Sequence, residues 1–251
     1  MVHKLGLHKE LISILNSDAR GGVLHGSLSF LKNLAIAGSN RQSLGEAGLV
    51  PAIARLWDYD TVPQVQFAAT SIARQLIRSS IENVSRLLDI LPPGGDEPEA
   101  KLTYLSLLLA LFGKTDSAPI RTEIGRIVAS ICRTLSPMTR ESHDTADLAN
   151  VLLDRLFTLH ETISHPIAAM ITQDQWPVVR SEGWFCLTLI ATNEKGGSPA
   201  VGCLQDVFPL LEKTLSTDDV DSTDDAGKLK QAKDRDNLII LVQELLSKHV
   251  C

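Results

Sequence analysis

Two segments of this chain, "VLHGSLSFLKNLA" (23–35) and "VQFAATSIARQLI" (65–77), superpose at a spacing of 42 residues (23 to 65). Both place apolar or small residues at helical intervals and close on a polar residue, Leu and an apolar residue. A repeat of this length limits the chain to architectures that stack one supersecondary unit on the next, because a single unit cannot bury its own apolar face.

The stretch between the two copies gives the grammar of the unit. "NRQSLGEAG" (40–48) reads as a short first helix stopped by Gly48. "LVPAIARLW" (49–57) is a second helix with Pro51 in its first turn, where the missing N–H costs nothing. "DYDTVP" (58–63) turns the chain into the third helix. The same grammar recurs: 7–18 reads as a second-type helix, and 178–191 and 236–248 as third-type helices. Segments 80–91, 99–113, 120–135 and 147–160 add further helices with apolar residues three and four apart. No run of strands is evident. Aromatics are only 4% of the chain, which suits stacked helices packed through aliphatic ridges. The expected fold is all-α: a right-handed armadillo-repeat solenoid of roughly 40-residue units, forming one domain over 1–251.

The segments "HGSLSFLKNLAIAGSNRQSLGEAG" and "MITQDQWPVVRSEGWFCLTLIA" (170–191) resemble the C-terminal half of the armadillo-repeat small-GTPase GDP-dissociation stimulators. The resemblance spans most of residues 5–215 and is firmest at 21–77 and 168–191. It implies a partner, a small GTPase of the Rho, Rap or Ras type with a basic, prenylatable C-terminal tail. It also implies accelerated GDP release, shielding of that tail, or both. The chain opens within what reads as the second helix of a repeat, as a C-terminal piece or a shortened product would.

Two segments depart from the array. "PPGGDEPE" (92–99) is expected to be a loop, as is 216–228, whose "STDDVDSTDDAGK" has no apolar period. The formal charge of −6 disfavours nucleic acid and suits a basic partner. Cys132, Cys186, Cys203 and Cys251 are scattered and never form Cys-x-x-Cys, so they read as reduced intracellular thiols. "LTYLSLLLALF" (102–112) is too short to span a bilayer, no basic-then-apolar leader opens the chain, and Cys251 is not a prenylation box. A cytoplasmic protein without membrane insertion is expected, one in which the sequon at Asn83 never meets a glycosylating enzyme.

No catalytic group, metal or cofactor is expected. "HETISH" (160–165) spaces its histidines five apart, off one helical face, and Pro166 is read as ending that helix. "GKT" (113–115) has Leu108 where a phosphate loop needs its first glycine, and "GGSPAVG" (196–202) reads as a plain inter-helix loop. Trp57, Trp176 and Trp184 read as fillers of helix interfaces.

What remains is surface. In armadillo arrays that carry extended peptides, each third helix bears a Trp followed four residues later by an Asn that clamps the peptide backbone. The corresponding pairs here are Ser29 and Asn33, Ser71 and Gln75, and Phe185 and Leu189, so that ladder is not built. The residues that the resemblance and helical spacing assign to partner binding are His25, Ser29 and Asn33 on one helix and Gln64, Ser71 and Gln75 on the next. Asn33 and Gln75 are expected to be exposed, and Arg41 to face outward, away from the groove. The function expected is GTPase binding on a concave surface; the alternative is an adaptor that carries a peptide without exchange activity.

Overall fold

The computed structural model describes residues 6–17, 19–58, 60–92, 101–137, 145–216 and 225–249, with side chains of the last helix described at 232–247. Among these residues the chain is helical, and the one extended pairing is an isolated bridge between Ile90 and Thr103. The helices form two compact units, Met1–Leu159 and His160–Cys251.

The first unit contains α1 (Leu7–Leu15), α2 (Gly21–Ile36), α3 (Gly38–Glu46), α4 (Leu49–Ala54), α5 (Pro63–Ile77), α6 (Ile81–Leu87), α7 (Tyr104–Lys114), α8 (Ala118–Leu135) and α9 (Ala146–Leu159). α4 runs on into a 3-10 turn, Arg55–Trp57. The helices follow the short, second and third pattern of the sequence: α3, α4 and α5 make one complete armadillo unit, and α6, α7 and α8 the next. Gly48 separates α3 from α4 at φ 84, the left-handed region that a side chain resists. Pro63 and Pro119 occupy the first turns of α5 and α8, where no intrahelical N–H is needed. Thr103 caps α7 in a reciprocal box with Ser106, closing two otherwise orphaned N–H groups.

The core of this unit is the row of third helices. α5 packs against α2 on one flank and α8 on the other. It is buried at Val65, Ala68, Ala69, Ile72, Ala73, Leu76 and Ile77, and the alanines let its neighbours approach closely. Each fully buried Leu or Ile in such a row contributes about 1.5–3 kcal/mol.

The first helices hook onto the ends of the third helices before them. Asn40 donates to the Leu34 carbonyl at 3.0 Å, and Asn83 to the Leu76 carbonyl at 3.1 Å. These are equivalent contacts one repeat apart. Asn83 also donates to the Arg41 carbonyl at 2.9 Å, and it is fully buried, so the sequon it opens is sealed inside the fold.

The second unit contains α10 (Ser164–Thr172), α11 (Pro177–Ala191), α12 (Gly197–Ser216) and α13 (Asp225–His249). α11 packs against α10 and α13, with Trp184 wholly buried. Gly183 makes the close approach possible, since a Cβ there would lie 2.8 Å from Ile171 Cγ1.

Several expectations are corrected here. Pro166 does not end a helix: α9 stops at Leu159, and Pro166 lies in the first turn of α10, where proline is tolerated. "GGSPAVG" is likewise no loop, because Gly197 opens α12 with Pro199 in its first turn. Leu88 caps the helix, and Ile90 and Leu91 pair with Thr103 and Leu102, so α6 is shorter than its apolar period. Of the expected loop 92–99, Pro92 is irregular and 93–99 lie outside the described residues. Of 216–228, Ser216 ends α12, residues 217–224 lie outside the described residues, and α13 begins at Asp225.

Candidate functional site

The third helices of the first unit present a common stripe. On α5 the line Phe67, Ser71, Arg74, Arg78 follows the offsets 0, 4, 7 and 11, which share one face of a helix. The 42-residue superposition places His25, Ser29, Lys32 and Ile36 on the same line of α2. On α8, the buried Ile120, Ile124, Ile127 and Ile131 turn Thr122, Arg126, Ala129 and Arg133 to that side. Neighbouring helices in such a row lie about 8–10 Å apart, so the three stripes form adjacent rows.

The residues expected to bind a partner divide sharply. His25, Ser29, Asn33 and Gln64 are exposed. Ser71 and Gln75 are not: they are 1% and 8% exposed. The reason is lateral packing. Val23, Phe30 and Asn33 are exposed on α2, whereas their equivalents Val65, Ile72 and Gln75 are buried on α5, which packs between α2 and α8. The same helical position is surface in one unit and interface in the next. Gln75 Oε1 accepts a long bond from Arg78 Nη1 at 3.4 Å, and the Ser71 hydroxyl has no hydrogen-bond partner among the described residues.

Sequence reasoning missed the cations. Lys32, Arg74, Arg78, Arg126 and Arg133 all lie on the stripe lines, the first three on the same helices as the positions chosen or just past their ends and the last two on α8. The signal was present in the sequence, because no Asp or Glu occurs in 19–45 or in 61–81. Those two segments hold Arg20, Lys32, Arg41, Arg74 and Arg78, while the chain as a whole is at −6. The net charge, which suits a basic partner, does not describe this face. Glu123 on α8, 7% exposed, accepts from Arg74 Nε at 2.5 Å.

Arg41 is also corrected. Rather than facing outward without function, it donates to the carbonyls of Ala35, Ile36 and Arg78, at 3.0, 2.9 and 2.6 Å. Burial pulls its guanidinium below the ordinary value, and the positive charge of Arg78 adds to the fall.

The remaining chemistry is sparse. Burial pushes the Cys203 thiol up to about 12, with Asp206 adding to the rise, so it is a protonated, poor nucleophile at neutral pH. Cys132, Cys186 and Cys203 are free and buried. His160 is buried ahead of a 3-10 turn and His165 exposed on α10, so the pair does not share an element. Among the described residues no group of three or more His, Cys, Asp or Glu side chains is placed to hold a metal, and no helix is long and apolar enough to cross a membrane. Trp57 and Trp184 fill interfaces, at 3% and 0% exposed, but Trp176 is 42% exposed at the start of α11. There the Gln173 side chain holds the Trp176 backbone, donating to its carbonyl and accepting from its N–H, each at 2.7 Å. That clamp fixes the backbone and leaves the indole at the surface.

No family model and no curated protein sequence matches this chain. Solved structures do. A designed armadillo repeat protein in complex with the peptide (KR)4 aligns over 97% of this chain and 84% of its own, at 19% identity and a TM-score of 0.66. A second designed armadillo repeat protein aligns over 94% of this chain and 99% of its own, at 18% identity and a TM-score of 0.50. A computationally designed armadillo repeat protein for modular peptide recognition covers 94% and 98%, at 18% identity and a TM-score of 0.50. At these identities the likeness establishes the armadillo fold.

Proposed function

We propose that this chain is a non-catalytic protein-binding module whose working surface is the third-helix face of its first unit, and that its partner is a small GTPase of the Rho or Rap type. The observation that carries the binding reading is the set of adjacent stripes on α2, α5 and α8, where exposed and half-buried polar, aromatic and cationic side chains share one side. Armadillo neighbours that bind peptides support such a use of the fold. The GTPase itself comes from the resemblance at 21–77 and 168–191. In that reading the effect on nucleotide is mechanical: binding favours a GTPase conformation with an opened nucleotide site, and the shift is bounded by the difference in affinity for the two states. His25, Ser29 and Asn33 contact the partner, and Gln64 extends the surface onto α5. Ser71 and Gln75 hold the face in shape from beneath.

The test is release of fluorescent GDP from Rho- and Rap-type GTPases mixed with the full chain at low salt. Faster release that His25→Ala and Asn33→Ala weaken supports the reading. If no GTPase binds, the fold has come without that function. A chain that captures a peptide and leaves nucleotide release unchanged is instead the adaptor.

A further inference from the structure

The charge of the stripes specifies what part of a partner can lie on them. α2 and α5 carry no carboxylate, and their open side offers Lys32, Arg74 and Arg78. Arg74 uses its Nε on Glu123 and keeps further donors of its planar fork. The chain's own geometry strengthens the cationic end of the row. Arg41 is locked against three helix-terminal carbonyls beside Arg78, whose positive charge, after burial, disfavours that of Arg41. An arriving anion relieves that repulsion.

We infer that the partner segment seated across α2 and α5 is an extended acidic peptide stretch, with carboxylates meeting Lys32, Arg74 and Arg78. This rests on the third-helix face being the binding surface, and it excludes a polybasic tail from that part of it. The spacing fits. Lys32 and Arg74 occupy equivalent positions on neighbouring helices about 8–10 Å apart. An extended chain rises about 3.3 Å per residue, so carboxylates three residues apart span about 10 Å and reach both rows. Ser29, one turn before Lys32, and Phe67, two turns before Arg74, suit the small and apolar residues that flank those carboxylates. A nucleic acid fits less well: its charges continue past the stripes onto a chain whose net charge is −6.

The test uses the full chain and three fluorescein-labelled probes in an anisotropy titration. The first is a short peptide with glutamate at every third position. The second is the same peptide with lysine at those positions, and the third a short thymidine oligonucleotide. The glutamate peptide should bind, lose affinity as salt rises, and lose at least about fivefold in Lys32→Ala/Arg78→Ala, since each exposed pair is worth a fraction of a kcal/mol to about 1 kcal/mol. Both side chains are exposed or half-buried, and Arg41 is held by the backbone carbonyl of Arg78, so helicity should be preserved. Lys32→Glu/Arg78→Glu should reverse the preference toward the lysine peptide. Equal binding of the two peptides, or full affinity in both double variants, overturns the inference. Tighter binding of the oligonucleotide, with the same loss in the variants, assigns the face to nucleic acid and overturns it too. GDP release without glutamate-peptide binding removes this inference alone. Peptide binding without any GTPase interaction removes only the GTPase.

Discussion

Arg41, on the first helix of one armadillo unit, donates from Nη1 to the carbonyl of Arg78 just past the end of that unit's third helix, at 2.6 Å. The same guanidinium serves Ala35 and Ile36 at the end of the preceding third helix. One side chain thus satisfies helix-terminal carbonyls of two adjacent rows and places positive charge at two negative helix ends.

Arg41→Ala should therefore destabilise the fold by about 1–3 kcal/mol in chemical denaturation, through orphaned carbonyls. Arg41→Lys should recover only part of that loss, because an ammonium lacks the planar fork that spans both helix ends. Full stability in Arg41→Ala would show that water replaces the bonds at no cost.

Gly45→Ala should be more damaging than an exposed glycine change. A Cβ at Gly45 would overlap Asn83 Oδ1, and Asn83 is pinned by its bonds to Arg41 and Leu76 and by Arg86 Nη1 at 2.9 Å. Overpacking at so fixed a contact costs about 1–3 kcal/mol. Gly22→Ala, with open space around its Cβ, is the control and should hold or gain stability. Equal melting temperatures for the two variants would mean that α3 and α6 slide apart freely.

Asn33 and Gln75 should behave as opposites. Asn33→Ala leaves stability within about 0.5 kcal/mol of the parent and weakens partner binding. Gln75→Ala opens space among the packed helices and costs about 1–2 kcal/mol of stability, while Gln75→Leu, which keeps the volume without the amide, is near neutral. Thermal melts and binding titrations on the same preparations separate the two. A stability loss in Asn33→Ala matching that in Gln75→Ala would contradict their different surroundings.

Thiol labelling should split by burial. Cys132, Cys186 and Cys203 are 3%, 1% and 1% exposed, so a Cys251→Ser variant should show almost no fast reaction with an aromatic disulfide reagent in native buffer. Three thiols should then appear in denaturant. Rapid native labelling of Cys203 would contradict both its burial and its thiol held up at about 12.

Much of the fold was legible because its punctuation is local. Gly48, Pro51 and Pro63 each act on their own backbone, and the structure has them where the periodicity put them. Pro166 and Pro199 were misread for a related reason: a proline that ends a helix and one in a first turn impose the same φ, and only the neighbouring turns decide which it is. The binding face was half legible. Helical spacing gave the stripe that contains His25 and Ser29, but burial depends on lateral neighbours that spacing does not encode. Ser71 and Gln75 were lost beneath packed helices for that reason. The cations of the stripe were overlooked because net charge averages over faces, and here the acids and bases are segregated.

Between α6 and α7 the backbone closes on itself: Leu91 donates to the Leu102 carbonyl at 2.8 Å, next to the bridge from Ile90 to Thr103. A doorway whose jambs are already fastened does not feel how long the corridor behind it is, since lengthening a closed loop costs only about 0.6 kcal/mol per doubling. Residues spliced in between Leu91 and Leu102 should therefore leave α6 and α7 in register.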